Sequence, residues 1–214
     1  MVSVVLVCWK RLDRFEEIVK KWLQEEEVSE VIVWDNSGSF KTSLPVILIN
    51  SQTNINPSIR YAIVSMCSNN IVIHCDDDVI PRQGITKDFL SHFDEESFLG
   101  VEGVFFNGDS YFDQKRIIST DLKSVSHVDM VIGYLTMCHK NNFLSIDYSD
   151  FCKYQLEMDL QIKSPNLKRL VIPTNKYEVM DCSKDINALH LQEAGKKPKE
   201  DLYKKYKMRS KRYL

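Results

Sequence analysis

Three consecutive carboxylates, Asp76-Asp77-Asp78, directly follow the largely apolar run Ile71 to Cys75. Like charges so close raise one another's pKa unless a cation compensates them, and an oxygen-only donor set suits a hard ion such as Mg²⁺ or Mn²⁺. With the chain extended through the triplet, Asp76 and Asp78 project to one side, roughly 7 Å apart at about 3.3 Å per residue, and Asp77 points the other way. The bland alternative is a hydrated acidic turn helped by Pro81. Position favours a site, because open α/β sheets bind their ligands beyond the carboxyl ends of the strands.

The elements that would position this triplet alternate along the chain. Val4 to Trp9 is a continuous apolar run, the pattern of a strand covered on both faces. A helix follows, with Asp13 and Glu16 at capping-box spacing and Phe15, Ile18, Val19, Trp22 and Leu23 at helical intervals. Val31 to Trp34 predicts a second strand, ended by the turn formers Asn36-Ser37-Gly38, and Val46 to Ile49 a third. Pro57 is placed to open a second helix carrying Ile59, Ile63, Met66 and Cys67 and stopped by Asn69-Asn70, before the strand Ile71 to Cys75. This alternation predicts an α/β fold with a mostly parallel central sheet and helices on both faces. Farther on, Val101 to Phe106, Val128 to Met137 and Leu170 to Ile172 are expected to be strands and Ser149 to Ile162 a helix.

Composition narrows the classes. The 214 residues are 43% hydrophobic and 27% charged, which argues against a disordered or coiled-coil chain. A net charge of -2 gives no overall pull toward nucleic acid. The basic run is local: Lys196 to Arg212 holds nine Lys or Arg against Glu200 and Asp201, and reads as a solvated helix face or a grip for phosphate or anionic lipid. No stretch approaches the roughly 18 apolar residues of a transmembrane segment, and Val2 to Trp9 has no basic segment before it, so it reads as a strand and not a signal. Cysteines 8, 67, 75, 138, 152 and 182 form no Cys-x-x-Cys pair, so they are expected to be reduced in a soluble, cytoplasmic protein.

Three segments taken in order, Val4-Val5-Leu6-Val7-Cys8-Trp9-Lys10-Arg11, Val31-Ile32-Val33-Trp34-Asp35-Asn36-Ser37 and His74-Cys75-Asp76-Asp77-Asp78-Val79-Ile80, resemble nucleotide-sugar glycosyltransferases of the GT-A fold. The similarity points to the family-2 enzymes, the exostosin C-terminal domains and glycosyltransferase domains of large algal viruses. Val128-Asp129-Met130-Val131-Ile132-Gly133, Leu156-Glu157-Met158-Asp159-Leu160 and Ala188-Leu189-His190 extend it to about residue 190.

The resemblance implies that the triplet is an Asp-x-Asp motif, with Asp76 toward the ribose and a metal-bound water, Asp77 in the donor site and Asp78 on Mn²⁺ or Mg²⁺. It also implies that His190 closes the metal site from the C-terminal side, and that Gly133 and Asp159 belong to the sugar and acceptor side. Such a protein moves a hexose from a nucleotide-diphosphate sugar, UDP-sugar before GDP-sugar, to a hydroxyl of a glycan or glycoprotein. Charge building on the leaving diphosphate would be met by the cation. The donor pocket is expected along Val7, Cys8, Trp9 and Arg11. Asp35 either contacts uracil or ribose or is simply a turn former, and Arg60 either balances diphosphate charge or is an exposed helical Arg. Asp159 is the expected base, with Glu157 beside it, although Met158 departs from the family's adjacent Glu-Asp pair. Lys196 and Lys197, after Gly195, suit a basic loop able to close over the diphosphate. The expected division is one GT-A domain over 1–195, with a nucleotide-binding half (1–100) and an acceptor half (101–195), and a basic segment over 196–214.

Two enzymatic alternatives fare worse. A sugar-phosphate nucleotidyltransferase or a dinucleotide oxidoreductase would show a glycine-rich loop after the first strand, yet no glycine precedes Gly38. A non-catalytic nucleotide-sugar or cation-binding module is the remaining reading.

Overall fold

β1 (Val2–Cys8) is buried along its whole length because it lies mid-sheet and is covered from both sides. Its alternate residues part company, Val4, Leu6 and Cys8 joining one hydrophobic cluster and Val5 and Val7 the other, as the two-residue period of a strand requires. The first cluster is completed by α1 (Phe15–Trp22), which contributes Phe15, Ile18, Val19 and Trp22. The computed structural model describes residues 1–55, 58–144, 160–161, 164, 166–181, 197, 199–204 and 207.

After α1 come β2 (Val28–Asp35), β3 (Ile47–Asn50), α2 (Ile59–Ala62), β4 (Ile71–Asp76), β5 (Val79–Pro81) and α3 (Ile85–Leu90). The chain continues through β6 (Ser97–Gly100), β7 (Glu102–Phe106), β8 (Gln114–Ile118), β9 (Ser126–His127), β10 (Met130–Val131), β11 (Leu135–His139), α4 (Asn141–Leu144), β12 (Lys168–Val171) and β13 (Tyr177–Val179). The main sheet has the order β3-β2-β1-β4-β11-β6-β12-β9, and two small sheets, β10-β7-β8 and β13-β5, flank it. β3, β2, β1 and β4 are parallel neighbours, as are β6 and β12; β11 opposes both β4 and β6, and β9 opposes β12. The result is a mixed central sheet with α1 and α3 on one face and α2 and α4 on the other. This is the expected α/β architecture.

Several local expectations are corrected. α1 starts at Phe15 with Arg14 as its N-cap and no side-chain cap bond, so Asp13 and Glu16 form no capping box. The helix after β3 is a single turn that tightens at Ile63–Met66 and ends at Cys67, where φ is -65° and ψ is 130°, ahead of Asn69-Asn70. Ser68 and Asn69 are instead engaged by the starts of β1 and β2. Ser68 donates from N and Oγ to the Glu30 carboxylate, both at 3.0 Å, and Asn69 Nδ2 donates to Ser3 Oγ at 3.0 Å. Pro57 lies outside the described residues, as does the Ser149 to Ile162 helix apart from helical residues 160–161.

The strand expected over Val101 to Phe106 is β7, whereas the single strand expected over Val128 to Met137 is divided between two sheets. β6 hands over to β7 at Val101, and β10 to β11 across Ile132-Gly133-Tyr134.

The basic C-terminal run is partly a docked helix. Residues 199–204 are helical; Tyr203 is buried against Phe106 with ring centroids 4.5 Å apart, and its hydroxyl donates to the Gly108 carbonyl at 2.7 Å. Glu200 accepts from Ser110 Oγ and Tyr111 N, both at 2.9 Å. Cys8, Cys67, Cys75 and Cys138 are free and buried, while Cys152 and Cys182 lie outside the described residues. No helix among the described residues is long and apolar enough to cross a membrane.

Gly38 holds φ at +67°, and a Cβ there would meet the Ser51 carbonyl oxygen at 2.7 Å. Gly38→Ala is therefore expected to cost about 1–3 kcal/mol, combining left-handed strain with a backbone clash; urea denaturation measures it, and an unchanged midpoint would contradict the clash.

Candidate functional site

The strand register brings the carboxyl ends of four strands into one row. Val7 stands opposite Asp76, Cys8 opposite Asp35, and Asp35 opposite Asn50. β2 and β3 extend the sheet to one side of β1 and β4 extends it to the other. Such a switch point opens a crevice beyond the strand ends, where α/β sheets take ligands. Val7, Cys8, Asp35 and Asp76 therefore share the edge that the sequence assigned to them.

Beyond Asp76 the chain turns at Asp77-Asp78 instead of running on extended. It has to, because β5 must pair antiparallel with β13, and Met180 N fixes the turn by donating to the Asp78 carbonyl at 2.8 Å. The expected sharing of one side by Asp76 and Asp78 is thereby corrected. Asp77 and Asp78 are the two that converge, accepting from the same Nη1 of Arg11 at 2.7 Å and 2.9 Å. Asp76 turns to Arg60, with which it is ion-paired.

Arg11 reaches the turn from the loop after β1. Trp9 N donates to Asp77 Oδ2 at 3.0 Å, so Asp77 clips this loop at two points. Between them Lys10 adopts φ 64°, uncommon for a residue with a side chain, and its Nζ lies 4.8 Å above the Trp9 ring. Trp9 and Arg11 thus join the same corner as the acidic turn.

Arg60 is buried, not an exposed helical arginine. Its Nη1 also donates to the Gly133 carbonyl at 3.2 Å, so Gly133, Arg60 and Asp76 form one contact chain. Tyr134, next to Gly133, accepts from Asp76 N at 2.8 Å. Beneath them His74 donates from Nε2 to the Arg60 carbonyl at 3.2 Å, with its ring against both Tyr61 and Phe143, which also stack on each other. Complete burial, together with the nearby Arg60 charge, drives the His74 pKa down to about 3, so the imidazole is a neutral donor. His74 and Tyr134 escaped the sequence reading. Only the position of His74, two residues before Asp76 and so on the same face of β4, could have flagged it.

Burial pushes the Asp76 carboxyl up, opposed by Arg60 and reinforced by Asp78 and Asp77. Burial raises Asp77 to about 6 against the pull of Arg11 and the Trp9 N–H. The turn therefore concentrates acidic groups where water solvates them poorly, and cationic partners make up the difference. Its carboxylate oxygens are donors of the type a hard divalent ion takes. Among the described residues, no cluster of three His, Cys, Asp or Glu side chains is arranged to hold a metal; His190 lies outside them.

The Asp35 carboxylate is engaged by its own loop. It is buried and accepts from Ser37 N at 2.7 Å, Ser37 Oγ at 2.6 Å and Phe40 N at 2.7 Å, with Cys8 Sγ at 3.6 Å. Burial alone would raise its pKa, but these bonds outweigh it and hold the group below the usual range. Of the two readings of Asp35, this geometry is that of the turn former. Asp129 is exposed and accepts from Phe106 N at 2.9 Å. Lys197 is exposed, and the helix after it is fastened to the β7–β8 hairpin. Glu157, Asp159, His190 and Lys196 lie outside the described residues.

The sequence matches no protein-family model and no curated protein. Its fold is similar to that of Staphylococcus aureus TarS 1-349, solved in complex with UDP-GlcNAc: TM-score 0.57 at 15% identity, covering 82% of this chain and 57% of that one. The chain thus spans a little over half the length of that structure. The likeness is one of fold: a central mixed sheet flanked by helices, consistent with an α/β, Rossmann-like GT-A fold.

The raised Asp77 pKa fixes the sign of a pH effect. Its folded value lies above the unfolded one, so its contribution to stability is fullest below about pH 4 and is lost as pH rises through about 6. In metal-free buffer the stability of the wild type relative to Asp77→Asn is expected to fall by about 2 kcal/mol between pH 4 and pH 7. Urea midpoints of both proteins across that range check it, and a constant difference would contradict it.

Proposed function

We propose that this chain is a metal-dependent glycosyltransferase that moves a hexose from a nucleotide-diphosphate sugar to a hydroxyl of a glycan or glycoprotein. The observation that carries the reading is the acidic turn Asp76–Asp78, which closes β4 at the β1/β4 switch point and faces the loop after β1. A nucleotide laid across that crevice would meet Val7, Cys8 and Trp9 on one side and the turn on the other. UDP is the preferred base, a choice supported by the UDP-GlcNAc complex of TarS, with GDP second.

Asp78 and Asp76, with His190, would hold Mn²⁺ or Mg²⁺, which supplies electrostatic stabilisation of charge on the departing diphosphate. The chain's own groups do the rest. Arg60, braced by His74 and Gly133, sets a fixed positive charge beside Asp76. Arg11 brings a second from the opposite loop. Asp159 accepts the proton of the attacking acceptor hydroxyl, with Glu157 close in sequence to orient it. Lys196 and Lys197 provide basic charge near the donor when the chain before them closes, and exclusion of water there would limit donor hydrolysis.

Calorimetry separates this reading from a nucleotidyltransferase or a passive binding module. UDP is expected to bind more tightly with Mn²⁺ than without it, and Asp78→Ala to remove most of that gain. Donor hydrolysis in a panel of nucleotide sugars should require the metal, and Asp159→Asn should lower transfer at least tenfold while leaving UDP affinity within about twofold. Equal UDP affinity with and without metal would overturn the assignment of the turn, and normal transfer by Asp159→Asn would overturn the base.

A further inference from the structure

The pairing of β4 with β11 ends at the acidic turn. Leu135 stands opposite Cys75, and one rung further Asp76 N donates to the Tyr134 carbonyl at 2.8 Å. The end rung of a strand pair is the one that opens most easily, and three adjacent carboxylates repel one another at and just beyond this one. Gly133, the residue before Tyr134, has no side chain with which to fasten this end of the pairing. Tyr134 has one, and it enters a polar cluster built by other elements.

Glu102, the first residue of β7, is buried, and its Oε1 lies 2.8 Å from Arg116 Nε of β8. Burial, the Glu102 charge and the Tyr177 phenol together push the Tyr134 phenol above its usual range, so it keeps its proton and donates. Ser119 Oγ lies 2.9 Å from both the Thr174 carbonyl and the Tyr177 hydroxyl. Having one proton, it donates to the carbonyl and accepts from Tyr177. Tyr177 is thereby committed as a donor to Ser119, and the Glu102 carboxylate, which can only accept, is the group that takes the Tyr134 proton. A buried carboxylate deprived of such a donor is costly, so the contact holds Tyr134 as firmly as it satisfies Glu102.

We infer that Tyr134 is a positioning residue for the acidic turn: its phenol, anchored on Glu102, fixes the backbone carbonyl that holds Asp76 at the end of β4. The use made of the turn rests on the transferase reading; the anchoring itself is a property of the unliganded chain. The other end of the turn is held by separate means. Met180 N binds the Asp78 carbonyl, and the segment leading into β13 is fastened to Asp88 by Lys176 Nζ at 2.6 Å and Thr174 Oγ1 at 2.7 Å. Loss of the Tyr134 anchor therefore loosens the Asp76 end alone. Because Glu102 also opens β7, this one side-chain contact joins the small sheet β10-β7-β8 to the acidic turn.

Amide hydrogen exchange followed by NMR on the full, unliganded chain tests the anchor. Tyr134→Phe keeps the ring and deletes only the donor. It is expected to speed exchange at Asp76 roughly tenfold or more, while Met180 and mid-strand Ile73 change by less than about twofold. Glu102→Ala should give the same pattern, and Glu102→Gln, which keeps an acceptor oxygen, should restore most of the protection. The double variant Tyr134→Phe/Glu102→Ala should exchange no faster at Asp76 than either single one. Should Tyr134→Phe fail to fold, Glu102→Ala compared with Glu102→Gln gives the reading. In the wild type, UDP with Mn²⁺ should slow Asp76 exchange further, because a ligand seated against the closed turn shifts the population toward it. Unchanged Asp76 exchange in the variants, or an equal acceleration at Ile73, overturns the anchoring and leaves the transferase reading standing. Acceleration confined to Asp76, with no effect of UDP and Mn²⁺ on the wild type, upholds the anchoring and overturns the transferase reading of the turn.

Discussion

Carboxylates gathered where water is scarce must be neutralised, and the corner beyond β1 and β4 is organised around that requirement. The chain meets it from two directions. Arg11 comes from the loop after β1 and spans two aspartates, while Arg60 comes from α2 on the opposite face of the sheet and takes the third. Neither arrangement would persist without support: Trp9 N pins the first loop to Asp77, and the His74 imidazole and Gly133 carbonyl hold the second arginine. Removing one charge from such a set leaves its partner buried and uncompensated, which is costlier than the pair itself is stabilising.

Topology explains why these groups meet at all. Placing β1 between β2 and β4 leaves the strand ends diverging on either side of a crevice, and the two hydrophobic clusters on opposite faces fix the sheet so that this crevice does not close. Loops at the carboxyl ends then differ in their work. The Asp35 loop spends its carboxylate on its own backbone and becomes a rigid rim, whereas the Asp76–Asp78 turn directs its carboxylates at other elements. Two acidic segments with similar sequence prominence thus have different roles, decided by which donors lie within reach.

How much of this the sequence disclosed depended on the kind of signal. The first four strands and α1 were legible because burial on both faces or along one helical stripe leaves a periodic apolar record. Asp76–Asp78 stood out because charge so seldom follows a buried strand directly. What stayed hidden was pairing over distance: nothing in Arg11 or Arg60 announces an aspartate 66 residues from the first or a strand partner for the second. The direction of the acidic turn was also hidden, since it is imposed by β13, a strand about a hundred residues downstream, and not by the turn's own residues. The sheet crossing within Val128 to Met137 was missed because an apolar run reads alike whether or not it changes sheets; Gly133 was a local hint.

β11 runs against its neighbours on both sides, and this reversal governs how the corner can diversify. A parallel strand would leave the sheet at this edge, so the segment after it would line the crevice; β11 enters here instead, and the segment before it, ending in Gly133-Tyr134, does so. The long excursion from β7 to β10 leaves from the end of β6 and returns at Gly133-Tyr134, so both of its ends are held at this edge, where Ile132 N donates to the Glu102 carbonyl at 2.8 Å. Insertions or deletions in that excursion can reshape what the cleft admits while the anchoring hydrogen bond from Asp76 N to the Tyr134 carbonyl keeps the acidic turn in register. Evolution is thus free to rewrite one wall of the cleft with the charge machinery on the other left untouched.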